Sequence, residues 1–247
     1  MKHKKIKAAV LAITAIAALG GILYSQFGTK KSYDYADYYV ETKPAKNNTS
    51  DKEASEKELS LSLLKQTNKD IVGILVFDDR VIYEPIVQAP DNDFYVRRNI
   101  EKQYANAGIP FVSADGNIGS QNVVIYGHSS KWNNIIFTPL MSYIDENYYL
   151  KHPTFEFITK NGTRTYKIFD VMNIDLNNLN NSLEFTQSSW DTSNEFNAFI
   201  SDSINRGLYK TGETATSNDK LMTLVTCDTR DNNKRIVVLA KQIDTKP

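Results

Sequence analysis

The feature that most constrains the fold of this chain is a succession of short apolar segments separated by turn-forming residues. Thr154–Thr159 and Arg164–Val171 alternate apolar and polar residues on either side of Asn161-Gly162, the strongest hairpin signal in the chain. With the other segments of this kind, they predict seven or eight short strands and few helices, and therefore a mainly β fold closed into a barrel. The other predicted strands are Ile71–Phe77, Arg80–Val87, Asn122–Tyr126, Leu221–Thr226 and Ile236–Gln242.

An N-terminal helix is expected between Ser50 and Lys69. Acidic residues occupy the start of this segment, where they favour a helix N-terminus, and leucines follow at helical spacing. The segment therefore predicts a helix packed against the main domain, although a solvated tether is the alternative interpretation.

A second helix is predicted late in the chain, before the segment Leu221–Thr226. Ser193 is a candidate N-cap and Gly207 a candidate stop. Between them the apolar residues recur with helical periodicity, which indicates packing against a core. These residues are Phe196, Phe199, Ile200 and Ile204.

The N-terminus has the pattern of a membrane-directed segment. Four lysines lie within the first seven residues, and Ala8–Tyr24 carries no charge. This pattern predicts a signal anchor in residues 1–27, an extracellular stalk in 28–50 and a catalytic domain in 51–247, with the domain on the outer face of the cell membrane. A cleavable signal peptide is the alternative, because Ala15-Ile16-Ala17 offers a small-residue cleavage pattern.

Composition limits the classes of function. The 247 residues carry 29 basic and 29 acidic side chains, and this balance argues against a nucleic-acid partner. Cys227 is the only cysteine, so the chain can form neither an internal disulfide nor a cysteine-rich metal site. The thiol is therefore either an inert buried group or a reactive one.

A motif around this cysteine favours the reactive interpretation. Thr223-Leu224-Val225-Thr226-Cys227 matches the TLxTC signature of sortases, the cysteine transpeptidases of Gram-positive bacteria, and Arg235 resembles the arginine that opens their next strand. Asn122–His128 resembles the strand that ends in the sortase histidine. The resemblance covers roughly Ile71 to Ile243, and the helix before the cysteine strand is typical of class B. It implies a closed sortase-type β-barrel.

The resemblance also implies a mechanism. Cys227 would attack the carbonyl after the threonine of a C-terminal sorting motif, His128 would protonate the departing amine, and Arg235 would stabilise the oxyanion. A peptidoglycan amine would then resolve the thioester. The partners are therefore exported proteins that bear a sorting motif, and the wall precursor. Of the other histidines, His3 lies in the basic tail and His152 precedes a proline.

Several features near the cysteine are open to two interpretations. Asp228 resembles an acidic residue often found at this position in class B enzymes, but it could equally cap a loop. Arg230 and Arg235 both lie within reach of Cys227 in sequence, yet the polar surroundings of Arg230 indicate a solvated side chain. Ser129-Ser130 and Val225 depart from the residues that are common in class B, and substrate preference is the property that these departures put in doubt.

No organic cofactor or metal is expected. Calcium-dependent sortases bind the ion through loop carboxylates, whereas the acidic residues here are scattered rather than set at ligand spacing. They are Asp91, Asp93, Asp115 and Asp228. Two alternative functions remain at this stage: a secreted cysteine peptidase with water as acceptor, and a non-catalytic membrane-tethered β-domain.

Overall fold

The structure is a computed structural model that describes residues 34–42, 56–181 and 184–247. Eight of its strands close a barrel in the order β10-β8-β7-β3-β4-β5-β6-β9, and β1 pairs with β2 in a separate two-stranded sheet. The prediction of a mainly β fold with a closed barrel is therefore confirmed. The strands are β1 Tyr39–Thr42, β2 Glu56–Leu59, β3 Ile71–Phe77, β4 Tyr83–Val87, β5 Phe111–Val112, β6 Asn122–Tyr126, β7 Thr154–Thr159, β8 Gly162–Asp175, β9 Leu221–Asp228 and β10 Asp231–Lys246.

Most neighbouring strands of the barrel are antiparallel, but β5 runs parallel to β4 and β9 runs parallel to β6. The longest ladder joins β8 to β10, from Asp175 opposite Lys234 to Thr163 opposite Lys246. Buried side chains form two core clusters, each of which joins residues of the barrel strands to residues outside them: Leu64, Phe196 and Phe199 in one, and Phe137, Tyr143 and Tyr149 in the other.

The β7–β8 hairpin is confirmed, but its turn lies one residue earlier than predicted. Thr159 pairs with Gly162, so Lys160 and Asn161 form the turn and Gly162 already belongs to β8. Gly162 has φ 113°, and a Cβ there would overlap the carbonyl oxygen of Lys246 on β10. The glycine is therefore required by the ladder that follows the turn rather than by the centre of the turn itself.

Among the described residues, three α-helices accompany the strands: α1 Leu61–Thr67, α2 Glu146–Lys151 and α3 Ser193–Arg206. Short 3-10 helices fill several of the connections. They span Ala36–Tyr38, Asp78–Arg80, Phe94–Arg97, Thr138–Ile144 and Leu176–Asn181.

The N-terminal helix is present as α1, but it begins later than predicted. Residues 56–59 form β2 because Leu59 is buried and its N–H donates to the Tyr83 hydroxyl at 2.8 Å. Ser60 then takes an extended conformation and caps α1 through its side chain. Residues 43–55 lie outside the described part of the chain, as do 1–33.

The late helix, α3, lies between β8 and β9 as predicted. Thr192, rather than Ser193, is its N-cap, because the Thr192 hydroxyl accepts from the N–H of Glu195 at 3.2 Å. Phe196 and Phe199 are buried, and the ring of Trp190 packs on both, with centroids 4.9 and 4.7 Å away. The apolar stripe is therefore a core-packing surface.

The predicted single-pass localisation at the cell membrane is contradicted. Among residues 34–42, 56–181 and 184–247, no helix is long and apolar enough to cross a bilayer. The longest helix there, α3, has 14 residues, which span about 21 Å against a hydrocarbon thickness of roughly 30 Å. The segment on which the prediction rested, Ala8–Tyr24, lies outside the described residues.

Part of the predicted stalk contacts the barrel. The hydroxyl of Tyr35 donates to Glu84 of β4 at 3.0 Å, and Tyr39 packs edge-on against Tyr83. The boundaries of leader, stalk and domain at residues 27 and 50 stay predictions.

We expect Phe196→Ala to destabilise the domain by about 3–5 kcal/mol, because it removes a fully buried ring and leaves a cavity beneath Trp190. The exposed neighbour Asn197 provides the control, and Asn197→Ala should change the free energy of unfolding by less than about 0.5 kcal/mol. Guanidinium unfolding measures both. Similar values for the two variants would contradict the packing of α3 described here.

Candidate active site

Three neighbouring strands bring the predicted site residues to one end of the barrel. β6 and β9 are parallel, with Tyr126 opposite Val225, so the residues that follow in both strands lie side by side. β9 and β10 are antiparallel, with Cys227 directly opposite Arg235. His128 follows β6 by two residues, and the pairing of the strands therefore places it beside the end of β9 that carries Cys227.

Hydrogen bonds fix the turn after β6 to β9. The Gly127 N–H donates to the carbonyl of Val225 at 3.1 Å, and the Thr226 hydroxyl donates to the carbonyl of Gly127 at 2.8 Å. The hydroxyl of Ser129 donates to the carbonyl of Cys227 at 2.6 Å. Together these bonds hold the backbone on either side of His128 against the cysteine strand.

Gly127 is required by the close approach of a buried ring. A Cβ at this position would lie 2.5 Å from Cδ2 of Phe137, which is fully buried. The N–H of Phe137 donates to the carbonyl of His128 at 3.0 Å and so closes the loop between them. The small residue before the histidine therefore lets the loop fold back onto the barrel.

Cys227, His128 and Arg235 line one cleft. Its empty volume is about 440 Å³, counting the part open to solvent, which is within the usual size range of small-molecule and peptide sites. Most of the other lining side chains are apolar, so charged groups in the cleft are poorly solvated. They are Val96, Ile109, Phe111, Tyr126, Val225 and Thr226, with Gly127.

The thiol of Cys227 is half-buried and un-ionised at neutral pH. Burial raises its pKa above the ordinary cysteine range, and the positive charges of Arg235 and Arg97 only partly oppose this effect. The resting side chain is therefore a thiol, so a role as nucleophile would require that the thiolate form during the reaction.

His128 is neutral at rest. Burial, together with the charges of Arg97 and Arg235, lowers its pKa to about 4, although a hydrogen bond to Val96 opposes the shift. In that hydrogen bond Nε2 donates to the Val96 carbonyl at 3.1 Å. The lone pair is then on Nδ1, which is the ring atom able to take a proton.

Arg235 is almost completely buried, with 1% of its surface exposed. Its Nη1 donates to the carbonyls of Asn232 and Lys234, both at 2.8 Å, so the irregular first residues of β10 orient the guanidinium. Burial lowers its pKa, but an arginine keeps its charge in proteins. A fixed cation thus lies directly across the ladder from the thiol.

Asp228 caps the β9–β10 turn. Its buried carboxylate accepts from the N–H, Nε and Nη2 of Arg230 at 2.8, 2.9 and 2.7 Å, and from Asn173 at 2.9 Å. Burial would raise its pKa, but these hydrogen bonds outweigh burial and hold it below the ordinary range. The contacts of Asp228 favour its interpretation as a loop cap. The guanidinium of Arg230 pairs with the Asp228 carboxylate.

The remaining candidates lie elsewhere or outside the described residues. His152 ends α2 with its ring 4.5 Å from that of Tyr148 and does not line the cleft. His3 belongs to the part of the chain that is not described. In residues 34–42, 56–181 and 184–247 no group of three or more His, Cys, Asp or Glu side chains is placed to hold a metal. Metal-independent catalysis stays a prediction.

Two residues at the site were missed by the sequence analysis. Arg97 follows Val96 and exerts its charge on both Cys227 and His128. Ser129 was interpreted only as a departure that affects substrate preference, yet its hydroxyl ties the histidine turn to the cysteine strand. No local pattern marks Arg97, because only the fold brings the 3-10 helix Phe94–Arg97 next to the histidine turn, through the bond between Val96 and His128.

The closed β-barrel brings a cysteine, a histidine and a buried arginine to one cleft, and these are the residue types on which cysteine enzymes rely. The sortase domain of known protein families matches residues 86–243, more than half of the chain. The chain therefore belongs to the sortase family.

Individual relatives assign the class. Sortase B of Listeria monocytogenes is 29% identical over 188 residues, covering 74% of this chain and 73% of that protein. Sortase B of Staphylococcus aureus is 25% identical over 184 residues, covering 73% of each. The crystal structure of Clostridium perfringens sortase B superposes with a TM-score of 0.69 at 28% identity, covering 75% of this chain and 100% of that one. The chain is a cysteine transpeptidase of the sortase B type.

We expect Arg235→Ala to lower the rate of peptide cleavage by about 100-fold or more, the scale seen when an oxyanion donor is removed. Arg235→Lys should rescue poorly, because an ammonium lacks the planar fork. Arg230→Ala is the control and should affect stability more than rate, since its guanidinium pairs with Asp228. Steady-state cleavage measures all three variants, and the reverse ranking of the two alanine variants would refute the assignment.

Proposed function

We propose that this enzyme cleaves the peptide bond after the threonine of a C-terminal sorting motif in exported proteins and transfers the acyl group to a peptidoglycan amine. Membership of the sortase family supports the class of reaction. The observation that carries the residue assignment is the direct pairing of Cys227 with Arg235 across β9 and β10, with His128 on the adjoining turn.

The first half-reaction forms a thioester. The Cys227 thiol gives its proton to Nδ1 of His128, and the thiolate attacks the carbonyl carbon of the threonine. The carbonyl oxygen becomes negative, and the fixed charge of Arg235 stabilises it. The C–N bond then breaks, the His128 imidazolium gives its proton to the departing amine, and the acyl group remains on the sulfur.

The second half-reaction reverses these roles. An acceptor amine attacks the thioester carbon while His128 takes the amine proton. A new C–N bond forms, the C–S bond breaks, and the thiolate is released. It regains a proton from His128, so each side chain returns to its starting state.

Burial keeps the Cys227 thiol un-ionised at rest. Both the thiolate and the imidazolium are disfavoured in a cleft lined mostly by apolar side chains. A bound peptide covers the cleft and brings the polar carbonyl whose developing charge Arg235 stabilises, so the ion pair becomes favourable only when substrate is present. Because the ion pair forms only after the substrate binds, the thiolate would react selectively with a bound motif.

The proposal is tested by incubating the full chain with libraries of LPxTG-like and NPxTN-like peptides in the presence and absence of an amine. Mass spectrometry should detect an acyl-enzyme on Cys227, cleavage after threonine, and an amide product when the amine is added. Cys227→Ala should abolish all three and remain folded, because the residues are close in size.

Cleavage that persists in Cys227→Ala would contradict the assignment of the nucleophile. Formation of the free acid alone, at saturating amine, would show that the enzyme is a cysteine peptidase that uses water as its acceptor. Circular dichroism of Cys227→Ala tests separately whether the variant is folded, so that a loss of activity is not confused with unfolding.

A further inference from the structure

The backbone ladder between β6 and β9 ends just before the histidine. Its last pair joins Tyr126 to Val225, and the N–H of Gly127 then donates to the carbonyl of Val225 at 3.1 Å. In a parallel ladder the next bond would run from the N–H of Ser129 to the carbonyl of Cys227, two positions further along both segments. Among the described residues, no backbone donor makes this bond, since the chain has left the strand by Ser129.

The side chain of Ser129 supplies the bond that the backbone does not make. Its hydroxyl donates to the carbonyl of Cys227 at 2.6 Å, so that an O–H takes the place of the backbone N–H. This distance is within the usual range of an O–H···O bond. The two segments therefore stay connected one step beyond the point where the ladder ends.

This connection is made at the two residues that the proposed reaction uses. Both His128 and Cys227 line the cleft. The register of the ladder, extended by two residues from the pair of Tyr126 and Val225, places them side by side. The bond from Ser129 thus joins the residue next to the histidine to the backbone of the cysteine itself.

Other bonds hold the histidine in place on its own side of the cleft. Nε2 of the ring donates to the carbonyl of Val96 at 3.1 Å, and the carbonyl of His128 accepts from the N–H of Phe137 at 3.0 Å. Neither bond involves the cysteine strand. The bonds that the hydroxyls of Thr226 and Ser129 make between the two segments therefore fix where the held imidazole lies relative to the thiol.

We propose that Ser129 is a positioning residue for the proton transfer between Cys227 and His128. This inference rests on the proposed transpeptidation, in which the thiol gives its proton to Nδ1 of the imidazole. The transfer requires the two groups to lie within hydrogen-bond reach, and a displacement of about 1 Å can lower a rate by roughly 100-fold. Without the hydroxyl, the carbonyl of Cys227 loses this donor and the two segments can move apart.

Ser130 provides a matched control, because it has the same side chain one residue later. Its hydroxyl accepts from the N–H of Trp132 at 3.1 Å, a bond that stays within the loop. Both serines are half-buried. Removing either hydroxyl removes one hydrogen bond, but of the two only the hydroxyl of Ser129 connects the loop to the cysteine strand.

The test measures acyl-enzyme formation by the full chain with the LPxTG-like or NPxTN-like peptide that the wild type cleaves fastest. We expect Ser129→Ala to lower the rate at saturating peptide by about tenfold, while the peptide concentration at half the maximal rate changes by less than about twofold. Ser129→Thr keeps a hydroxyl and should restore most of the rate. Ser130→Ala should stay within about twofold of the wild type. Mass spectrometry of quenched samples gives the rates.

Two further measurements separate positioning from a general loss of structure. Alkylation of Cys227 by iodoacetamide at about pH 9 needs the thiolate but no proton transfer to histidine, so Ser129→Ala should react as fast as the wild type. Guanidinium unfolding of Ser129→Ala and Ser130→Ala should give similar midpoints, since each variant loses one neutral hydrogen bond.

Three results would overturn the inference while the wild type still forms an acyl-enzyme. They are an unchanged rate of acylation in Ser129→Ala, an equal loss in Ser130→Ala, and no recovery in Ser129→Thr. A matching loss of alkylation would also overturn it, because the thiol itself would then be disturbed. If the wild type forms no acyl-enzyme with any of the peptides, the proposed transpeptidation fails and this inference fails with it.

Discussion

The active site depends on the register of three adjacent strands. Parallel pairing of β6 with β9 places the turn after Tyr126 beside the end of the cysteine strand, and antiparallel pairing of β9 with β10 places Cys227 opposite Arg235. A shift of one residue in either ladder would turn a side chain to the opposite face. The capped turn at Asp228 and the bond from Ser129 to the carbonyl of Cys227 hold the ends of these ladders in place.

Burial then determines how the chemistry can proceed. A cleft with few polar lining groups keeps both the thiol and the imidazole neutral, and the positive charges of Arg235 and Arg97 act to lower the pKa of both groups. These cations favour the thiolate but disfavour the imidazolium. In the proposed mechanism, the same charges that help to form the thiolate would make His128 a strong acid once it is protonated, which suits a group that gives its proton to a departing amine.

Much of this arrangement could be predicted from local sequence patterns, because alternating apolar and polar residues and hairpin turn residues directly indicate strands. The strands that carry Cys227, His128 and Arg235 were all predicted, and the motif linked the three residues before any distance was known.

Contacts between distant segments could not be predicted in this way. The acidic and leucine-rich pattern before α1 indicated helix throughout, whereas β2 forms because Leu59 bonds to Tyr83 and pairs with Tyr39. Arg97 was missed for the same reason, since only the fold brings it to the site.

The central claim is that this strand register buries an un-ionised thiol beside a neutral histidine, and the pH dependence of Cys227 alkylation tests it most directly. Iodoacetamide reacts with the thiolate, so its rate reports the ionised fraction of the only cysteine in the chain. Because the pKa of Cys227 is raised and that of His128 is lowered to about 4, we expect the rate to rise through neutral pH without levelling off. A plateau reached below about pH 7.5, the range of cysteines paired with a protonated histidine, would contradict it.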